Sequence, residues 1–164
     1  MPGYGSASLD AVLALPASGG RSADTLDHMY SVTKKIDFCY GHRLLDYDGI
    51  CKHPHGHNAT AEIEVRTGTL DDRNMVCDFS DIKRIVKGWI DRELDHRMIL
   101  RHDDPLVKPL QQLNEPVFIL DSNPTVERIA RLIFDRARDE GLPVVKVTVW
   151  ETPTSFATYQ GEPS

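Results

Sequence analysis

The chain has 164 residues, which is enough for one domain with a substantial core and too few for two domains of ordinary size. Hydrophobic residues make up 40% and charged residues 27% of the sequence, a composition that excludes disordered and fibrous proteins. The formal net charge of -6 argues against nucleic-acid binding, because a phosphate backbone is bound by a basic surface.

The N-terminal part of the chain differs in composition from the rest. Residues 1–27 are rich in glycine, serine, alanine and proline and show little periodicity. This composition predicts a flexible N-terminal extension. The remaining residues, 28–164, are predicted to form the domain.

Alternating apolar and polar residues predict two strands at the start of the domain. In the first strand, most even-numbered residues between positions 30 and 40 are apolar, and His42 continues that face. In the second strand, the odd-numbered residues of 59–65 are apolar, and extending this face backward includes His55 and His57. The three histidines are therefore expected on the buried faces of two strands, unless a bulge shifts the alternation.

Two helices are predicted next along the chain. The first follows Asp78 and has apolar residues at helical spacing between positions 82 and 94. The second begins at a cap formed by Asn123 and Pro124 and ends at Gly141.

Two more strands are predicted near the C-terminus. Val145, Val147 and Val149 alternate with polar residues, and residues 155–160 provide a hairpin partner. The order strand, strand, helix, helix, strand, strand predicts an α+β fold. Its sheet is expected to be antiparallel and four-stranded, with both helices on one face.

Free thiols and a cytoplasmic location are also expected. The three cysteines, Cys39, Cys51 and Cys77, form an odd number without disulfide-framework spacing, which indicates a reducing compartment. No apolar run approaches the roughly 20 residues that span a bilayer. The N-terminus also lacks the cationic segment of a secretory signal. No membrane partner is therefore expected.

The segment 51–58 reads Cys-Lys-His-Pro-His-Gly-His-Asn and contains the strongest local motif. Because His55 and His57 stand two apart in a strand, they project from the same face. With His42 from the neighbouring strand, they offer three neutral nitrogen ligands, which suit Zn²⁺ with an open fourth position. Two alternatives stay open: Cys51 as a fourth ligand would make a closed structural zinc site, and any single histidine can be an ordinary surface or core residue.

Five ordered motifs over residues 28–160 are similar to the 6-pyruvoyltetrahydropterin synthase and 6-carboxytetrahydropterin synthase family. They are Phe-Cys-Tyr-Gly-His-Arg-Leu at 38–44 with Cys51 and His-Gly-His-Asn at 55–58, then Met-Val-Cys-Asp-Phe-Ser-Asp-Ile-Lys at 75–83, Leu-Asp-His at 94–96, Pro-Thr-Val-Glu at 124–127, and Trp-Glu-Thr-Pro at 150–153.

This resemblance implies the tunnelling fold (T-fold), in which subunits join their sheets into a trimeric barrel and usually stack as hexamers. A homo-oligomer with active sites at subunit interfaces is therefore expected. The residue roles implied by the resemblance are zinc binding by His42, His55 and His57, base catalysis by Cys51, proton transfer by Asp95 and His96, and pterin binding by Glu151 and Thr125.

The spacing within the zinc motif separates two reactions of the family. The pyruvoyl enzymes usually place five residues between the cysteine and the His-Gly-His pair, whereas the bacterial carboxy enzymes place three, as do Cys51 and His55. We therefore expect conversion of 7,8-dihydroneopterin triphosphate to 6-carboxytetrahydropterin, with release of acetaldehyde and triphosphate, in the route to 7-deazapurines such as queuosine. The alternatives are the pyruvoyl reaction and a non-catalytic zinc- or pterin-binding module.

Three residues depart from the family pattern, and one of them, Pro124, stands where a hydroxyl residue is often found. Cys39 and Tyr40 stand where small residues often precede the first zinc histidine. They are expected to alter the shape of the pocket or to add a second thiol near the metal. For the triphosphate, Arg43, Lys52 and His53 are candidates only because they lie near the metal motif, and a solvated role is equally expected.

Overall fold

The computed structural model of the protein describes residues 28–161, so the predicted extension at 1–27 lies outside the described residues. The strands are β1 (Tyr30–His42), β2 (His55–Thr67), β3 (Arg97–Arg101), β4 (Val117–Leu120), β5 (Val144–Thr152) and β6 (Ser155–Gln160). The helices are a 3₁₀ turn (Ile50–Lys52), α1 (Phe79–Ile82), a π-helical segment (Lys83–Lys87), α2 (Gly88–Glu93), α3 (Val107–Gln112) and α4 (Val126–Asp139). None of the helices in this part of the chain is long and apolar enough to cross a membrane.

The long strands β1 and β2 form the antiparallel centre of the sheet. Their register pairs Tyr40 with His57 and His42 with His55. The even-numbered residues of β1 are buried from Ile36 to His42, which confirms the predicted alternation. The hairpin therefore brings all three histidines to one end of the sheet, on the face that covers the core.

The prediction of a four-stranded, wholly antiparallel sheet was wrong. The sheet has six strands in the order β4-β3-β1-β2-β5-β6, and both β1–β3 and β3–β4 are parallel pairs. Strand β3 gave no period-two signal because neighbouring Ile99 and Leu100 are both 0% exposed. Strand β4 is a run of four apolar residues, and such short runs do not distinguish a buried strand from a helix.

The helical segments from α1 to α2 and the helix α4 pack on the face of the sheet that bears the buried β1 residues. The Asp78 carboxylate caps α1 by accepting a hydrogen bond from the Ser80 N–H, in agreement with the predicted helix start. Val86, from the π-helical segment, and Ile133, from α4, share one core with the sheet. The three histidines of β1 and β2 lie at the end of this core.

The predicted start of the second helix was wrong by a few residues. The N-cap of α4 is Thr125, whose hydroxyl accepts a hydrogen bond from the Arg128 N–H at 3.4 Å. Asn123 is unavailable as a cap because its side chain bonds the backbone of Leu45. The predicted end was correct, since Gly141 follows the helix with a φ of +84°, a conformation that glycine adopts without strain.

Two irregularities shift the alternation along β5. Near its start, Val144 rather than Val145 pairs with Val65 and joins the core, which corrects the predicted apolar face. Near its end, the register with β6 shifts between Trp150 and Thr152. Glu151 lies at this second irregularity.

Two buried carboxylates, those of Glu64 and Asp104, are held in ion pairs. The Glu64 side chain is buried and pairs with Lys146 at 2.5 Å and with Arg66 at 2.7 Å. After β1, the Arg43 guanidinium binds both carboxylate oxygens of Asp104, at 2.5 and 2.7 Å. Arg43 is thus engaged by a buried carboxylate.

Candidate functional site

Three imidazole nitrogens converge at the end of the β1–β2 hairpin. The Nε2 atom of His42 lies 3.0 Å from Nε2 of His55 and 3.2 Å from Nε2 of His57. Candidate ligand atoms of all three residues lie within 4.8 Å of one another. His42 is only 4% exposed and the other two are half-buried, so the group is reached from one side.

Backbone carbonyls fix the orientation of two of these rings. Nδ1 of His42 lies 2.7 Å from the Pro124 carbonyl oxygen, and Nδ1 of His55 lies 2.8 Å from that of His53. Because a carbonyl only accepts, each Nδ1–H donates and each Nε2 retains its lone pair. Two lone pairs that face each other at 3.0 Å cannot form a hydrogen bond, and this arrangement suits a cation bound between them.

The donor set fits a zinc ion. Zn–N bonds of about 2.0 Å in a tetrahedron place the nitrogens about 3.3 Å apart, close to the separations found here. Metal ligation also needs a neutral imidazole. Burial lowers the pKa of His42, although the Pro124 carbonyl and the charge of Glu151 act in the opposite direction.

A glycine between two histidines permits the close approach of the strands. A Cβ atom at Gly56 would lie 3.1 Å from the carbonyl oxygen of Tyr40, so the backbone of β1 would have to shift by a few tenths of an ångström. Gly56 therefore permits the close approach of β1 and β2 in the register that places His55 and His57 near His42.

Glu151 lies beside the three histidines and is held there by Tyr40. The Tyr40 hydroxyl donates to Oε1 of Glu151 at 2.7 Å, and this oxygen lies 3.8 Å from Nε2 of both His42 and His57. Burial, followed by the hydrogen bond and the charge of Glu151, raises the pKa of Tyr40, which keeps the phenol a neutral donor.

A second cluster contains Cys39, Asp95 and His96. The Cys39 N–H donates to Oδ1 of Asp95 at 2.8 Å, and Nδ1 of His96 lies 3.0 Å from Oδ2 of Asp95. Burial acts to raise the pKa of Asp95, but the hydrogen bonds from Cys39 and His96 hold it below its usual range. Cys39 does not join the three histidines in one group of converging ligand atoms, because Cys39 and His42 project from opposite faces of β1.

The remaining predicted residues lie outside both clusters. Cys51 occupies the 3₁₀ turn before β2, where its carbonyl accepts a hydrogen bond from Leu44, and it belongs to neither group of converging ligand atoms. Thr125 caps α4 and directly follows Pro124. Cys39, Cys51 and Cys77 are free thiols within residues 28–161.

A cavity of about 790 Å³ joins the two clusters. Cys39 and His96 line it together with His55 and His57. The cavity is thus lined by two of the three histidines and by two residues of the second cluster. Tyr40 was not recognised from the sequence as the partner of Glu151. Its position on the apolar face next to His42 was the available signal.

The chain is similar in sequence to one family of pterin synthases. The family profile described as 6-pyruvoyl tetrahydropterin synthase matches residues 31–162. The chain is 38% identical over 141 residues to a 6-carboxy-5,6,7,8-tetrahydropterin synthase of Haemophilus influenzae, with 80% of this chain and 99% of that protein covered. It is 36% identical over 125 residues to the protein of the same name in Aquifex aeolicus, with 68% and 76% covered.

Solved structures share the fold. An uncharacterised protein from Wolinella succinogenes superimposes with a TM-score of 0.69 at 28% identity, covering 82% of this chain and 99% of that chain. The 6-pyruvoyl tetrahydropterin synthase of Caenorhabditis elegans gives a TM-score of 0.61 at 23% identity, covering 82% and 97%. The second similarity concerns the fold alone.

Proposed function

Because the chain belongs to the 6-pyruvoyl tetrahydropterin synthase family of enzymes, we propose that it is a zinc-dependent lyase acting on 7,8-dihydroneopterin triphosphate. The proposed product is 6-carboxy-5,6,7,8-tetrahydropterin, with release of acetaldehyde and triphosphate, in the route to 7-deazapurines such as queuosine. The names of the similar bacterial proteins and the three residues between Cys51 and His55 support this product. The observation that carries the proposal is the convergence of the three Nε2 atoms.

His42, His55 and His57 are the proposed zinc ligands. Zn²⁺ bound by three neutral nitrogens with a free fourth position acts as a Lewis acid toward substrate oxygens. The hydrogen bond to the Pro124 carbonyl would direct the Nε2 lone pair of His42 toward the bound ion, and the His53 carbonyl would do the same for His55.

Glu151 is the proposed anchor for the pterin ring. A carboxylate accepts two parallel hydrogen bonds from the amino and ring N–H groups of a pterin, a planar match that also fixes the orientation of the ring. Tyr40 supports this role because its hydroxyl holds one carboxylate oxygen near the histidines. The substrate side chain would then project toward the metal. Thr125, adjacent to Pro124, is a further proposed contact.

Proton transfer is assigned to Cys51 and to the Asp95–His96 pair. Cys51 precedes the first histidine of β2 by four positions and is proposed as the base that removes a proton from the substrate side chain. The Asp95 carboxylate orients His96 through Nδ1, which leaves Nε2 directed away from Asp95 to exchange a proton with substrate. We expect an oligomer, a trimer or hexamer, in which neighbouring subunits complete these sites.

The test is to incubate the zinc-loaded protein with 7,8-dihydroneopterin triphosphate and identify the products by mass. A carboxypterin together with acetaldehyde is expected, with loss of product in Cys51→Ala and His55→Ala. Cys77→Ala is the matched control, since Cys77 lies outside both clusters, and it should retain the product.

Two results would redirect the proposal. A pyruvoyl product would assign the other reaction of the family and would show that the three-residue spacing does not determine the product. Bound zinc and measurable pterin affinity without turnover would contradict the enzymatic proposal for this substrate and would favour a binding module.

A further inference from the structure

The geometry points to a second divalent-metal site, formed by Cys39, Asp95 and His96 and separate from the three-histidine group. A thiolate, a carboxylate oxygen and an imidazole nitrogen are all ligands that Zn²⁺ takes in proteins. One ligand atom of each residue lies within 4.8 Å of the other two, which is close enough for a single ion to contact all three.

Backbone hydrogen bonds assemble this second site before any ion binds. The Cys39 N–H donates to the Asp95 carboxylate at 2.8 Å, and the Cys39 carbonyl accepts from the His96 N–H at 2.8 Å. The residue that carries the thiol therefore fixes the segment that carries the other two ligands. His96 adopts a φ of +57°, a left-handed conformation that a residue other than glycine adopts at a cost.

The two sites differ in position, ligands and access. Side chains alternate along β1, so Cys39 projects from the face opposite to His42. Within one chain the His96 side chain is 79% exposed, which leaves room for an ion beside it. Because only the second cluster includes a thiol, it should favour soft cations such as Cd²⁺ more strongly than the histidine group does. Metal binding would release the Cys39 thiol proton to solvent.

Occupation of this site has a consequence that rests on the proposed function. An ion held by the Asp95 carboxylate and by Nδ1 of His96 breaks the contact that orients the imidazole for proton transfer. Excess Zn²⁺ or Cd²⁺ should therefore inhibit the enzyme, although the first equivalent of zinc activates it. The metal site itself does not depend on the reaction.

The metal site is tested by titrating the metal-free, full-length protein with Cd²⁺. Stoichiometry is measured by equilibrium dialysis, and thiolate ligation by the ultraviolet charge-transfer absorption of a Cd–S bond. We expect two ions per wild-type chain with this absorption, and one ion without it in Cys39→Ser. Cys51→Ser, the matched control, should bind two ions with the absorption intact, and His55→Ala should keep the absorption while losing an ion.

Three results would overturn the second site. These are a single ion bound by the wild type, two ions and an unchanged absorption in Cys39→Ser, or an absorption that disappears in Cys51→Ser instead. The last result would assign the thiolate to the three-histidine group.

Inhibition is measured separately, as activity at several equivalents of Zn²⁺ relative to the activity of the same variant at one equivalent. The wild type should lose most of its activity, whereas Cys39→Ser should lose little. If two ions bind but the wild-type activity does not fall, the metal site stands. The inhibitory effect, and with it the role proposed for His96, would then be refuted.

Discussion

The side chain of Asn123 connects the segment that orients His42 to the loop that follows β1. Its Oδ1 accepts a hydrogen bond from the Leu45 N–H at 2.9 Å, and its Nδ2 donates to the Leu45 carbonyl at 2.8 Å. The next residue, Pro124, supplies the carbonyl that holds Nδ1 of His42 at 2.7 Å. Asn123→Ala removes both hydrogen bonds and leaves this carbonyl less well fixed.

The expected effect follows from these contacts. A hydrogen bond contributes about 0.5–1.5 kcal/mol net, so losing two lowers the free energy of unfolding by about 1–3 kcal/mol. Loss of an outer contact to a metal ligand typically weakens metal binding by about 10–100-fold. Because the Pro124 carbonyl itself remains, we expect Asn123→Ala to weaken zinc binding by an amount near the lower end of this range. The expected loss of zinc affinity is about tenfold, equivalent to about 1.4 kcal/mol.

The assay is competition for Zn²⁺ against a chromophoric chelator, combined with urea unfolding of the metal-free protein. Ser122→Ala is the matched control, because the Ser122 hydroxyl makes only a 3.3 Å contact with Asp121. It should leave the zinc affinity unchanged. Reduced stability with unchanged zinc affinity in Asn123→Ala would refute the reasoning, since it would show that the Asn123 contacts do not act through His42.

Three further predictions concern stability, pH and substrate binding. Arg43→Ala should lower the free energy of unfolding in urea by about 3–5 kcal/mol, because it leaves the 0%-exposed side chain of Asp104 without its charge partner. A loss below about 1 kcal/mol, which is typical of an exposed ion pair, would contradict this. The hydrogen bond from Lys146, with a further one from Arg66, lowers the pKa of Glu64, although burial acts in the opposite direction. The stabilising contribution of Glu64 is therefore present above its ordinary pKa of 4.5 and is lost as the pH falls through the lowered pKa. Unfolding between about pH 6 and about pH 3 should therefore show a flatter pH dependence in Glu64→Gln, and an identical slope would refute the assignment. Tyr40→Phe should weaken pterin binding, measured by fluorescence titration, roughly tenfold through the lost hydrogen bond to Glu151; unchanged zinc content is the control, and unchanged pterin affinity would contradict the positioning role.

The long strands and the helices could be predicted from the sequence because each buries one face and leaves the other exposed. This condition produces a clear period of two along β1 and β2, and a helical period along α4. Strands β3 and β4 lacked such a signal, since β3 has adjacent fully buried residues and β4 is a short apolar run. The bulge that replaces Val145 with Val144 in the core also depends on the partner strand, and cannot be seen in one segment alone.

The candidate site was predictable to the extent that it is local. His55 and His57 stand two apart on one face of β2, and His42 lies on the same face of the sheet in β1. Their convergence therefore follows from the β1–β2 hairpin alone. The contact between Tyr40 and Glu151 spans 111 positions and depends on how β5 joins the sheet. The cluster of Cys39 with Asp95 depends on the parallel pairing of β3 with β1, which the predicted antiparallel sheet did not include.

The most direct test of the three-histidine site is X-ray absorption at the zinc edge on Cys39→Ser protein loaded with one equivalent of Zn²⁺. This variant removes the thiol of the second proposed site. An open site bound by His42, His55 and His57 predicts a first shell of three nitrogens at about 2.0–2.1 Å and one oxygen, without sulfur. A sulfur at about 2.3 Å would show a closed site completed by Cys51 and would contradict catalysis at an open zinc position.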